Sequence, residues 1–263
     1  MAKTNKRRDE ERRSAAAARV AELRRAQQAA ERRKRAAVIA GVVVAVIVVV
    51  VAAALLIQNN RSTKHVAASV VNGANSNFGF VVGRSTAPVH VVAYEDFQCP
   101  ICNEFEKAEG STLTKLIDNG TISLEYRPIA FLDRMSSTNY STRALNAAAC
   151  VMNSANTDTF KKFHDLLYAN QPAENGSGLP DSQLIAFAKQ AGATSPQVAS
   201  CITNQTFKAW TVNATNAAQA APAMSKGLGT PTILVNGNTV ALPTAFNTSQ
   251  FTKVIQDAAK NKG

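Results

Sequence analysis

Two cysteines, Cys99 and Cys102, follow a mostly apolar run over residues 89–94 and stand at the start of a helical pattern. A Cys-x-x-Cys pair at a strand-to-helix junction suits a dithiol that cycles with a disulfide. Pro100 fits the first helical position, where its missing N–H would be unpaired anyway, so Cys99 reads as the cap and Cys102 as one turn in. The Cys99 sulfur then faces the positive end of the helix dipole, which stabilises a thiolate. Cys99 is therefore the expected nucleophile and Cys102 the more buried resolving thiol.

The surrounding pattern supplies the elements that must hold this pair. Residues 80–82 and 89–94 read as strands, the second opened by Pro88 and rich in β-branched Val89, Val91 and Val92. Residues 100–118 read as a helix with Ile101, Phe105, Leu113, Leu116 and Ile117 roughly on one face, ended by Asn119 and Gly120. A third strand over 121–126 completes a parallel βαβ unit, with the dithiol at the C-terminal edge of its first strand. Helical spacing then recurs over 142–153, 157–169, 181–191, 196–204 and 207–221, interrupted by a Pro- and Gly-containing loop at 171–180. This stretch is an insertion into an α/β domain, because β pattern resumes afterwards. Residues 232–235 and 239–242 flank Asn236 and Gly237, the strongest hairpin signal in the chain, and a helix over 249–260 closes the domain.

The chain has 263 residues, 46% of them hydrophobic, enough for one or two domains with a real core. Its net charge of +11 is concentrated at the N-terminus: residues 1–35 carry 13 Lys and Arg against 5 Asp and Glu, leaving +3 for the rest. A nearly balanced folded part gives no support for nucleic-acid binding. Residues 36–57 are all apolar or Gly, and as a helix they would span about 33 Å, the thickness of a bilayer core. The run is longer than a signal-peptide core and its Ala triplet, 52–54, precedes further apolar residues, so an uncleaved anchor is expected. Arg32, Arg33, Lys34 and Arg35 abut its start while only Arg61 and Lys64 follow it, which keeps the N-terminus cytoplasmic and exports the remainder. Residues 1–35 are then a basic cytoplasmic segment, 58–77 a tether rich in Asn, Ser, Ala and Gly, and 78–263 the folded domain, with its insertion at about 136–226.

Two motifs carry a family resemblance: Tyr94, Glu95, Asp96, Phe97, Gln98, Cys99, Pro100, Ile101 and Cys102, and Gly229, Thr230, Pro231 and Thr232. With the helical insertion they resemble the DsbA-like disulfide oxidoreductases of the thioredoxin superfamily. The resemblance implies a thioredoxin fold with an inserted helical domain, from about Phe78 to the C-terminus. It further implies a cis Thr230–Pro231 bond facing the dithiol, where Thr230 presents backbone groups to a substrate chain and Pro231 offers no N–H to the sulfurs. Two positions depart from the family. Ala93 stands where a buried acid is common, leaving Glu95 or Asp96 either to substitute for it or to serve as plain structural acids. Ile101 stands where the best-known oxidases carry His, so Cys99 is expected to be less acidic and the disulfide less oxidising.

Cys150 and Cys201 fall on expected helices of the insertion, with Val198, Cys201 and Ile202 at core spacing. In an exported domain they are expected to form a structural disulfide worth about 4 kcal/mol, two buried free thiols being the alternative. Cys99 and Cys102 lack a second ligand pair at zinc spacing, and no metal or cofactor is expected. His90 lies in a strand, His65 in the tether, and His164 on a helix beside Phe160, Phe163 and Leu167; all three read as structural or solvated, and Trp210 as insertion core.

The function expected from these features is a single-pass membrane-anchored thiol–disulfide oxidoreductase with its catalytic domain outside the cytoplasm. It would donate the Cys99–Cys102 disulfide to reduced exported proteins and be reoxidised by a membrane quinone-linked oxidase. Isomerase or reductase use of the same dithiol is the alternative. A non-catalytic role, with the two thiolates holding copper or a groove receiving extended peptides, is a further one.

Overall fold

The computed structural model describes residues 68–225, 227 and 229–261. The expected basic segment at 1–35, the membrane anchor at 36–57 and the tether up to 67 lie outside the described residues. Among the described residues, no helix is long and apolar enough to cross a membrane.

Five strands form one sheet, β1 (Phe80–Val82), β2 (Val89–Glu95), β3 (Ile122–Pro128), β4 (Thr232–Val235) and β5 (Asn238–Val240), in the spatial order β1-β3-β2-β4-β5. The β2–β3 pair is parallel and the other three pairs are antiparallel. α1 (Pro100–Asp118) makes the crossover between β2 and β3, and Gly120, at φ 76°, turns the chain out of it. β2 is buried on both faces, which is why its sequence is almost continuously apolar. Val89, Val91 and Ala93 join the main core with Phe105 and Leu113 of α1 and with Phe251 and Ile255 of the last helix. Val92 and Tyr94 face the other way, into a smaller cluster with Ile129, Ala218 and Met224.

Between β3 and β4 lies the helical insertion: α2 (Tyr140–Ser154), α3 (Thr157–Ala169), α4 (Asp181–Ala191), α5 (Pro196–Thr203) and α6 (Lys208–Ala220). α2 is its centre and packs on all four of the others. Its sequence fits that position, since small Ala144, Ala147, Ala148 and Ala149 let the neighbouring helices approach closely and are all fully buried. Cys150 of α2 and Cys201 of α5 form a disulfide with a Cα–Cα distance of 5.8 Å. Trp210 stacks on Phe80, with ring centroids 5.6 Å apart, and so ties the insertion to the edge of the sheet.

Several element ends shift by one or two residues, and two differences have a physical reason. Residues 71–77 were expected in a flexible tether, yet Val71 is buried, Ala74 bridges Phe80, and Asn75 Oδ1 accepts hydrogen bonds from Asn77 and Gly79 backbone N–H groups. The Asn-rich composition that suggests flexibility here builds an ordered turn instead, its side chains satisfying the backbone. Among the described residues, packing therefore reaches back to Val71, ahead of Phe78. The strand expected to reach Leu242 stops at Val240, and α7 (Leu242–Ala245) starts there because Pro243 suits a first helical turn. α8 (Thr248–Lys260) follows, capped by Asn247, whose side chain accepts from Gln250 N–H at 3.0 Å.

Candidate active site

Cys99 is the cap of α1, with extended backbone (φ −73°, ψ 116°), and Pro100 occupies the first turn. The turn that presents it is held from three sides. Cys99 N–H donates to Asp96 O at 2.9 Å. Asp96, fully buried, accepts from Gln98 N–H (2.9 Å), Phe131 N–H (2.9 Å), Leu132 N–H (3.0 Å) and Ser141 Oγ (2.6 Å). Gln171, in the loop after α3, donates its amide to the carbonyls of both Phe97 (3.1 Å) and Cys99 (2.9 Å). The insertion thus braces the peptide units on either side of the nucleophile. Neither Gln171 nor Ser141 carries a signal in the sequence, because loop and helix polar residues of this kind are usually solvated.

Across the site, the Thr230–Pro231 bond is cis and Thr230 O lies 3.4 Å from Cys99 Sγ. Cys99 and Cys102 are both free thiols. The Cys99 thiol is lowered from 9.0 to about 7, chiefly by the hydrogen bond from the Cys102 thiol. Burial opposes that shift, and the Thr230 side chain and the backbone N–H groups of Cys102 and Ile101 add to it. Cys102 has no exposed surface, and its thiol is pushed well up by burial, by the bond it gives to Cys99 and by the nearby charge of Glu95. The pair is therefore asymmetric. Ile101, between the two cysteines, is 48% exposed beside the nucleophile.

The two acids expected either to substitute for the missing one or to be structural have different surroundings. Asp96 is consumed by backbone and Ser141 hydrogen bonds, and desolvation outweighs them to raise its carboxyl to about 6. Glu95 instead meets His164, with Oε2 3.1 Å from Nε2, both groups buried. His164 also packs against the rings of Tyr126, Phe97 and Tyr168. Its expected core position is what the structure shows, but its imidazole also lies in the charged layer behind Cys102. His90 has a plain structural role, bridging Ser123 Oγ at 3.0 Å and Glu125 Oε2 at 2.9 Å.

An acidified cap thiol, a buried partner thiol and a proline loop closing over them define a thiol–disulfide oxidoreductase built on a thioredoxin fold. The family model described as Thioredoxin matches residues 75–257. Among solved structures, the reduced disulfide bond oxidoreductase DsbG of Mycobacterium tuberculosis is 31% identical, with a TM-score of 0.56, covering 72% of this chain and 96% of that one. The reduced DsbA of the same organism is also 31% identical, with a TM-score of 0.55 over 70% of this chain and 99% of that one. The chain belongs to the thioredoxin family, among its DsbA-like members, and these relatives are thiol–disulfide oxidoreductases. The serine/threonine-protein kinase PknE of M. tuberculosis is 33% identical over 130 residues, which are 48% of this chain and only 23% of that kinase. The chain therefore spans about a quarter of the length of that curated relative.

Proposed function

We propose that this chain is a membrane-anchored oxidoreductase whose Cys99–Cys102 disulfide oxidises pairs of thiols in exported proteins. A substrate thiolate attacks Cys99 Sγ, the intramolecular S–S bond breaks, and Cys102 leaves with the electron pair and takes a proton. The second substrate thiolate then attacks the substrate sulfur of the mixed disulfide and releases Cys99 as a thiolate. Two electrons have passed from the substrate dithiol to the protein; one of its two protons rests on Cys102 and the other goes to solvent. A membrane quinone-linked oxidase is the proposed acceptor that removes them. The reading rests on one observation above all, the place of Cys99 at the cap of α1, where the positive helix end faces its sulfur, with Cys102 wholly buried one turn in. Stabilising the released thiolate favours the reduced protein and so the forward transfer. Thr230 O beside the sulfur supports a second part of the reading, in which an extended substrate segment pairs with this edge through its own N–H groups.

The anchor at 36–57 and the extracytoplasmic placement of the domain belong to the same proposal, supported by the apolar run, by the flanking basic residues and by the Cys150–Cys201 disulfide, a bond that persists in oxidising compartments. The second reading, isomerase or reductase, is favoured by exposed Ile101, whose side chain gives the thiolate neither charge nor donor. The test is thiol oxidation of a reduced, unfolded protein by the oxidised chain and by its Cys99→Ser variant. Oxidation by the first and none by the second is expected; activity that survives Cys99→Ser overturns the dithiol mechanism.

A further inference from the structure

Behind the dithiol, β2, α1 and α3 bring together an imidazole and two carboxyl groups. We propose that Glu95, Glu106 and His164 form a binding site for one divalent cation of the zinc type.

One ligand atom from each residue can be chosen so that all three lie within 4.8 Å of one another. His164 Nε2 and Glu95 Oε2 are already 3.1 Å apart, close to the roughly 3.3 Å edge of a tetrahedron with metal bonds of about 2.0–2.1 Å. Glu95 is 1% exposed, and its Oε1 has no hydrogen-bond partner among the described residues; the same holds for Glu106 Oε1. A buried carboxylate oxygen without a donor is costly, and a cation held between the two carboxylates offsets that cost. The Tyr126 hydroxyl is likewise buried and without a partner, and its ring centroid is 4.2 Å from that of His164.

The outer contact of the histidine fits a ligand. Asp165 Oδ1 lies 3.2 Å from His164 Nδ1, the carboxylate that fixes the ring and leaves Nε2 as the metal-facing nitrogen. Two carboxylates balance a charge of two. The donor set selects the cation. Three protein donors, one of them an imidazole, are too few for calcium and ill suited to magnesium, whereas oxygen and nitrogen at a four-coordinate site suit zinc, with water completing the shell. No sulfur is required. Glu106 is partly buried, the other two residues fully so.

The site makes no assumption about the direction of electron flow, and its test uses no activity assay. The full chain, oxidised so that Cys99 and Cys102 cannot ligate, is dialysed against micromolar Zn2+ and its metal content measured by atomic emission. About one Zn2+ per chain is expected, with an X-ray absorption shell of nitrogen and oxygen only, at about 2.0–2.2 Å. Glu106→Gln should lose the ion, and Asp165→Asn, at a half-exposed positioning residue, should weaken binding about 10–100-fold. Circular dichroism of the same samples checks that both variants remain folded. Substoichiometric zinc in the oxidised chain, a sulfur shell near about 2.3 Å, or undiminished binding by the two folded variants would each overturn the site.

Discussion

Cys99 Sγ and Thr230 O are 3.4 Å apart although 131 residues separate them in the chain. The α1 crossover, β3 and the whole helical insertion lie between the two halves of the site. The sheet closes that gap: β4 starts just after Pro231 and pairs with β2 just before the dithiol, with Thr232 opposite Tyr94.

The first expectation concerns ionisation. Cys99 is lowered to about 7 and Cys102 raised, so alkylation of the reduced protein should rise with a midpoint near pH 7 and modify Cys99 alone. Peptide mapping after iodoacetamide at a series of pH values reads this directly. Equal labelling of both thiols, with a midpoint near 9, would mean that the donors around Cys99 do not act on it.

The order of the sulfurs gives a second expectation. Cys102→Ser leaves a nucleophile without a resolving partner, so it should accumulate a mixed disulfide with a reduced client through Cys99, visible on a non-reducing gel. Cys99→Ser should trap none, because Cys102 is wholly buried.

Asp96 holds the turn rather than the chemistry. Replacing it by Ala strands the N–H groups of Gln98, Phe131 and Leu132 and the Ser141 hydroxyl, and should cost about 2–4 kcal/mol in urea unfolding. Loss below about 0.5 kcal/mol would place water, not protein, at those donors.

Acid stability should depend on Glu125. Burial alone would raise its carboxyl, but bonds from His90, Arg127 and Asn75 outweigh burial and lower it from 4.5 to about 2. A depressed folded-state value contributes stability above the unfolded value, lost as pH falls from about 4.5 towards 2. Unfolding free energies across that window should fall more steeply for the native chain than for Glu125→Gln.

The Cys150–Cys201 disulfide should matter to stability and not to exchange. Converting both residues to Ala should lower unfolding free energy by about 2–4 kcal/mol while leaving Cys99 alkylation unchanged. A changed Cys99 rate would show that the insertion is no longer braced against the turn.

The elements that position the dithiol were legible because each rests on a local signal: the β-branched run of β2, Pro100 after the cap, and the Asn236–Gly237 turn, whose residues adopt φ 47° and 82°. Pro231 opposite Cys99 was reachable only through the family resemblance, since no local pattern links residues so far apart. The Glu95–His164 contact was hidden for a related reason. His164 sits among Phe160, Phe163 and Leu167 at helical spacing, and that periodicity reports burial but not which polar group waits at the buried end. The packing ahead of Phe78 was hidden because Asn and Ser suit both flexible chain and side-chain-closed turns, and only tertiary partners, here Glu125 and Asn153, decide between them.

The central claim is that the Cys99–Cys102 disulfide is a donor, and its reduction potential tests this most directly. Equilibration of the chain with glutathione buffers, followed by alkylation and mass measurement, gives the value. A potential of about −120 to −180 mV is expected for an oxidase of exported thiols. A potential near about −270 mV would contradict it and make the dithiol the stable form, a reductant that needs its own electron supply.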